Sequence, residues 1–241
     1  MSGHSKWSTI KRKKEKTDGQ RAKIFTKVGR ELTVAVKEGG PDPVSNTKLR
    51  DCIAKAKANN VPNENIERLI KKASGENDGK TYEALVYEGY GPSGVAVIVE
   101  ALTDSRNRTA ADLRHYFDKF GGNLGATGCV SFMFKRRGVI AVESEDLDED
   151  TVMEHAIESG AEDFKSEDGA FFIYTEPNDL GTVAEALSAL GYEFASCEVE
   201  QLPDVMTELT APEDVAKMQK LLDMLEDNDD VQNVWHNWSE E

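Results

Sequence analysis

The chain has 241 residues, of which 39% are hydrophobic and 31% charged, and its formal net charge is −16. That length suits two or three domains with cores of their own. No apolar run approaches the ~18 residues of a membrane span, and no apolar stretch follows the first charges as a secretory signal requires. The charge is sorted by position. Residues 1–30 hold ten Lys/Arg against two Asp/Glu, whereas residues 138–241 hold three against twenty-nine. A basic head on an acidic body presents one end to polyanions, because clustered Lys and Arg release counterions from phosphate backbones. Cys52, Cys129 and Cys197 are odd in number and far apart, which fits buried thiols in a reducing compartment. A cytoplasmic protein is the expectation, with Lys11-Arg12-Lys13-Lys14 read as a phosphate-binding run rather than a nuclear localisation signal.

In chain order, residues 1–19 are polar and nearly coreless, an arm with Trp7 and Ile10 as its only large apolar side chains. A helix is predicted from Gln20 to Glu38, stopped by Gly39-Gly40. Ile24, Val28, Leu32 and Val36 form its buried stripe, and Lys23, Lys27, Arg30 and Lys37 are expected on the opposite, outward face. Helices over 46–58 and from Pro62-Asn63 to Gly75 complete a three-helix bundle. Gly75–Gly79 reads as a hinge.

Strand periodicity starts at Tyr82. Strands over 82–90 and 94–102 flank Gly91-Pro92-Ser93, a helix follows over 109–120, and a strand over 129–135. Residues 138–200 read strand–helix–strand–strand–helix–strand, the split ferredoxin-like pattern. Its elements are Gly138–Glu143, Glu149–Ser159, Asp163–Ser166, Ala170–Thr175, Leu180–Leu190 and Tyr192–Glu198. The flanking strand 94–102, helix 109–120 and strand 129–135, with strand 205–209, helix 212–226 and strand 231–238, make the same pattern in two halves. Either half alone leaves an unpaired sheet edge. The fold class is therefore α+β: a basic arm and three-helix domain (1–79), a discontinuous ferredoxin-like α/β domain (80–137 and 201–241), and a second one inserted into it (138–200).

Gly89-Tyr90-Gly91-Pro92-Ser93-Gly94 has the spacing of a dinucleotide fingerprint, but Val95–Glu100 after it is a strand, and the motif needs a helix N-terminus there. The glycines are assigned to a hairpin, and no nucleotide cofactor is expected. Asp227-Asn228-Asp229-Asp230 lacks the glycine and the closing glutamate of a calcium loop. His4, His115, His155 and His236 lack ligand spacing, so no metal is expected. Nothing reads as a catalytic site, and the protein is expected not to be an enzyme and to take no small-molecule substrate.

Two segments carry nucleic-acid chemistry. In the arm, Lys6, Lys11, Arg12, Lys13, Lys14 and Lys16 supply charge, while His4 and Trp7 can stack on unpaired bases. The alternative is a solvated tail whose Trp7 folds back onto the bundle. Arg21, Lys23, Lys27 and Arg30 continue the positive stretch. In the second segment, Arg106, Asn107, Arg108 and Arg114 gather at a helix N-terminus, with Thr109 as its cap. There the alternative is that the arginines pair with the acidic insert across the domain interface. Lys135-Arg136-Arg137 either extends the basic surface or leads into the insert.

At these residues the chain resembles the YebC/PmpR family, which includes a mitochondrial translational activator of cytochrome oxidase. The resemblance rests on Gly3-His4-Ser5-Lys6-Trp7, Lys23-Ile24-Phe25-Thr26-Lys27, Arg30-Glu31, Gly39-Gly40, Tyr87–Pro92, Arg106–Thr109, Gly121–Gly125 and Leu225-Glu226-Asp227. It implies a helical N-terminal domain and two α/β domains, one inserted in the other. It also implies a DNA-binding transcriptional regulator or, alternatively, a ribosome-associated factor that eases translation of proline-rich stretches. The partner is thus DNA or ribosomal RNA, with no membrane. Asn59, Asn60 and Asn65 are the few side chains near the second and third helices suited to reading base edges, and no convincing helix-turn-helix is present.

Overall fold

The structure is a computed structural model that describes residues 7, 10, 18–75, 81–167 and 169–239, with only the backbone described at 18–22 and 58. Its chain groups into two compact units. One comprises 18–129 and 211–234, the other 130–210 and 235–239 together with Trp7 and Ile10. No helix among the described residues is long and apolar enough to cross a membrane.

The first unit opens with helices α1 (Asp18–Gly39), α2 (Thr47–Ala58) and α3 (Asn63–Ala73). The fourfold apolar repeat of α1 does what its spacing predicts: Val28, Leu32, Ala35 and Val36 pack with Leu49, Ala56, Val61 and Ile66 in one core. Gly40 leaves α1 at φ +84°, a left-handed conformation that costs glycine little. Asn46 then ties two helices together. Its side-chain oxygen caps α2 by accepting from Leu49 N at 3.0 Å, and its Nδ2 donates to Ala35 O at 2.7 Å and Gly40 O at 2.8 Å. Asn46→Ala is expected to cost about 2–3 kcal/mol, roughly 1 for the cap and the rest for buried carbonyls left unpaired. The check is a lower denaturant midpoint at unchanged m-value.

Strands β1 (Glu83–Tyr90) and β2 (Ala96–Thr103) form the predicted hairpin, antiparallel from Glu83↔Thr103 to Tyr90↔Ala96. The turn between them, Pro92–Gly94, puts Ser93 at φ 52° and Gly94 at φ 83°. Helix α4 (Arg106–Lys119) follows and begins three residues before the predicted start. Residues 106–108 are therefore its first turn, and Ser105 rather than Thr109 is the N-cap residue. Thr109 cannot cap, because it sits inside the helix and is fully buried.

The short strand β3 (Asn123–Leu124) returns along β1, pairing Gly89↔Leu124. A Cβ on Gly89 would lie 2.6 Å from Asn123 O, so only glycine permits this approach. Of this sheet's four strands, only β3 lies outside the predicted positions. The sheet reads β3-β1-β2-β9, with β9 (Val231–His236) beside β2. The predicted strand 129–135 is replaced by a 3₁₀ turn, Ser131–Met133, and the chain from Phe134 onward joins the other sheet. Helix α7 (Pro212–Asp227) packs on α4 and on the hairpin turn, where Ser93 donates to Asp214 Oδ2 at 2.6 Å.

In the second unit, β4 (Phe134–Glu143), α5 (Glu149–Glu158), β5 (Asp163–Glu167), β6 (Ala170–Thr175), α6 (Leu180–Ala189) and β7 (Ser196–Pro203) follow the predicted sequence of elements. The sheet order is β5-β6-β4-β7, all neighbours antiparallel, which is the split ferredoxin-like arrangement. Strand β4 begins four residues before the predicted Gly138, and β7 starts later and ends later than predicted. The reason is their pairing, which runs to Phe134↔Pro203. Ile140, Val142, Phe171 and Ile173 face Val152, Ala156, Val183 and Leu187 of the two helices. A short parallel pair, β8 (Thr207–Glu208) with β10 (Trp238–Ser239), completes the unit. The expectation of buried thiols fits Cys52, whose pKa burial and the Glu31 carboxylate push up to about 11, but Cys197 is exposed.

Candidate nucleic-acid interface

Helix α1 buries two sides. Beyond its apolar stripe, the side bearing Lys23, Lys27 and Arg30 meets the C-terminal end of α7 and the turn after it. Lys23 pairs with Asp227 Oδ1 at 2.6 Å and Lys27 donates to Glu226 O at 2.7 Å. Both cations thus sit at the negative end of the α7 dipole. Arg30 donates to Asp230 Oδ1 at 2.5 Å and Leu102 O at 3.0 Å, and its guanidinium lies 5.4 Å from the Tyr82 ring centre. The predicted outward display of these three cations is therefore corrected: a row of acceptors on the same unit engages them. Lys37 is exposed.

Asp230 is the hub. Besides Arg30, it accepts from Arg108 at 2.8 and 3.0 Å, from Thr109 Oγ1 at 2.7 Å and from Thr103 Oγ1 at 3.2 Å. Its residue is 3% exposed. Burial opposes its charge, but the hydrogen bonds from Arg108, Arg30 and Thr109 win and hold the carboxyl down to about 2. Arg108 is held in its charged form by Asp230 and then Asp104, which lies 2.9 Å away. The partners of Arg108 are thus Asp104 and Asp230, both outside the 138–200 insert to which the alternative reading assigned it.

An open cleft of about 470 Å³ lies beside this hub. Its lining counts three cations, Lys23, Arg30 and Arg108, against five aspartates. A phosphate entering it meets more repulsion than attraction, so the cleft is a structural seam rather than an anion pocket.

Arg106, Asn107 and Arg114 remain on the surface of α4, with Arg106 67% exposed and only a 3.5 Å approach to Glu83 Oε1. Sequence reasoning passed over the exposed Arg50 and Lys57 on α2 and Arg68, Lys71 and Lys72 on α3. The signal was present, since residues 18–75 carry twelve Lys/Arg against seven Asp/Glu. Lys135 pairs with Asp204, and Arg137 with Glu162 and Glu176, so these two are held within the second unit.

Of the arm, His4, Lys6, Lys11, Arg12, Lys13, Lys14 and Lys16 lie outside the described residues, as does the side chain of Arg21. Trp7 is described and is 5% exposed. It packs among Val139, Ala141, Ala170 and Phe172 on the 130–210 sheet, not on the helical bundle to which the alternative reading assigned it. In this position its ring has no open face for a base.

Two family models cover most of the chain. Residues 5–76 match the TACO1/YebC protein N-terminal domain, and residues 82–238 match the TACO1/YebC second and third domain. A protein of Acetivibrio thermocellus is 62% identical over 99% of both chains. One of Ruminiclostridium cellulolyticum is 60% identical over 100% of this chain and 98% of its own. Both are named probable transcriptional regulatory protein. The crystal structure of a conserved hypothetical protein from Aquifex aeolicus superposes with a TM-score of 0.83, at 47% identity over 92% of each chain. The chain belongs to the TACO1/YebC family.

Proposed function

We propose that this protein is a non-enzymatic regulator of gene expression that binds nucleic acid through its basic N-terminal third. The observation that carries the reading is the segregation of charge, ten Lys/Arg against two Asp/Glu in the first thirty residues of a chain whose net charge is −16. Cations so placed gain counterion-release energy from any phosphate backbone, while the acidic remainder is kept off it. Arg50, Lys57, Arg68, Lys71 and Lys72 add exposed charge on α2 and α3. The names of the relatives, probable transcriptional regulatory proteins, agree with a regulator. The test is binding to candidate promoter duplexes against random duplexes at physiological salt. A DNA-reading regulator prefers its site by roughly a thousandfold or more.

A second reading, a ribosome-associated translation factor, is favoured by one observation. Two of the three amides suited to adenine edges are engaged within the protein, and the third, Asn60, is exposed: Asn59 Nδ2 donates to Lys55 O at 2.8 Å, and Asn65 Oδ1 accepts from Arg68 at 3.1 Å. Charge then outweighs base readout, which suits the shape and backbone of structured RNA. Salt-sensitive co-sedimentation with ribosomes, and stalling on proline-rich stretches in a strain lacking the protein, would select this reading. No preference among duplexes is then expected.

A further inference from the structure

The 130–210 sheet has two apolar faces but only two helices. Helices α5 and α6 cover Ile140, Val142, Phe171 and Ile173. Strand alternation sends Val139, Ala141, Ala170 and Phe172 to the other side, and each of these is fully buried there. The cluster that buries them takes Trp7 and Ile10 from outside the domain and adds Tyr174, Ala195 and Leu202 from within it. A Cβ on Gly169, at the β5–β6 turn, would lie 3.9 Å from Trp7 Nε1, so the indole reaches the end of the hairpin.

Charge surrounds this apolar centre. Residues directly opposite in antiparallel strands share a face, and the register sets Glu198 opposite Val139, Glu200 opposite Arg137, Glu143 and Glu167 opposite Ala170, and Asp163 opposite Tyr174. Five carboxylates therefore share the face with Lys135, Lys165 and Arg137. Of these cations, Lys135 and Arg137 are already paired with Asp204, Glu162 and Glu176. The Tyr174 phenol registers the result: burial, then Glu167, Glu200 and Asp163, push its pKa up. An apolar centre with an acidic rim fits a segment with an apolar anchor and adjacent cations. Trp7 and Ile10, followed at once in the chain by Lys11-Arg12-Lys13-Lys14, are such a segment.

We propose that this face is a docking surface for the basic arm, pinned by Trp7 and Ile10, and that nucleic acid must compete with the face for the arm's cations. The acidic domain then acts as an internal rival of the phosphate backbone. Apparent affinity falls by the fraction of molecules whose arm is undocked. A polyanion that engages the arm's cations draws the arm off the face. The proposal rests on the nucleic-acid reading above.

The sign of one substitution tests it. Full-length wild type and Trp7→Ala are titrated with an oligouridylate of about twenty nucleotides. If docking competes with binding, Trp7→Ala binds roughly three- to tenfold tighter. If the indole stacks on bases, or the docked arm is the binding form, the variant binds equally or more weakly and the competition is overturned. A wild type that binds no oligouridylate overturns it together with the functional reading beneath it. Because Trp7→Ala uncovers apolar surface, Glu198→Gln/Glu200→Gln is measured beside it, against a charge-matched control, Glu154→Gln/Glu158→Gln on α5. Docking predicts a larger gain in affinity for the first pair, and equal gains reject it. Hydrogen exchange gives the direct readout: amides 139–141 and 170–174 lose protection when the oligonucleotide binds wild type, and unchanged protection counts against release.

Discussion

Asp230→Ala is expected to destabilise the first unit by about 3–5 kcal/mol, the usual cost of removing one partner from a buried charge network. In a chain of this length that corresponds to a melting temperature lower by roughly 10 °C. The size follows from the number of donors the carboxylate serves. Arg30, Arg108, Thr109 and Thr103 all point at it, from a helix of the bundle, the first turn of α4 and the end of β2. Removing the acceptor leaves two guanidinium groups facing each other across a gap and two hydroxyls without their partner. Arg106→Ala is the internal control. Its exposed 3.5 Å pair with Glu83 should matter by less than about 0.5 kcal/mol.

The same carboxylate sets an acid limit. Its folded pKa of about 2 lies below the ordinary carboxylate value, so the unfolded chain binds its proton first as pH falls. The stabilisation it provides is complete above the unfolded pKa and is lost as pH drops through the folded one. The gap in melting temperature between wild type and Asp230→Ala should therefore be flat from pH 7 to about 5 and close between about 4 and 2. A gap that closes near neutrality would point to a titrating group other than Asp230.

The helical bundle and the ferredoxin-like domain were legible because each rests on local periodicity. The fourfold repeat Ile24, Val28, Leu32, Val36 and the alternation through Ala170–Thr175 specify element and face without knowledge of partners. Asp230 was not legible for the opposite reason. Within 227–230 it reads as one of several solvated acids, and what buries it are donors from residues 30, 103, 108 and 109, whose convergence is a tertiary fact. The same cause defeated the outward reading of Lys23, Lys27 and Arg30. An apolar stripe tells where one side of a helix goes, but a polar side is solvent-facing only if nothing of opposite charge is brought to it. The start of α4 was misplaced because Thr103 does part of the work of a cap. Its Oγ1 accepts from Ser105 N at 2.9 Å, from two residues before the usual capping position. Trp7 was mislocated because its receptor is the outer face of a sheet more than a hundred residues away. An apolar residue in a polar arm announces that it will be buried, not where.

Replacing Lys11, Lys13 and Lys14 with Ala is expected to reduce the salt dependence of RNA binding by about 2 units of slope, near 0.7 per single-strand phosphate contact. At moderate salt this means affinity lower by roughly ten- to a hundredfold. The competing prediction comes from the helices: if Arg50, Lys57, Lys71 and Lys72 carry the contacts, alanines there flatten the slope and those in the arm do not. Charge-preserving Lys→Arg changes in the arm should keep the slope, which separates charge from side-chain identity. The docked arm adds a second signature. Its lysines then serve two partners, phosphate in the complex and the acidic sheet face in the free protein, so removing them weakens both. The loss measured in the intact chain is a difference between these effects, and it should be larger in a Trp7→Ala background, where the free arm has no rival partner. Equal losses in the two backgrounds would mean that the arm binds nucleic acid without ever leaving the sheet.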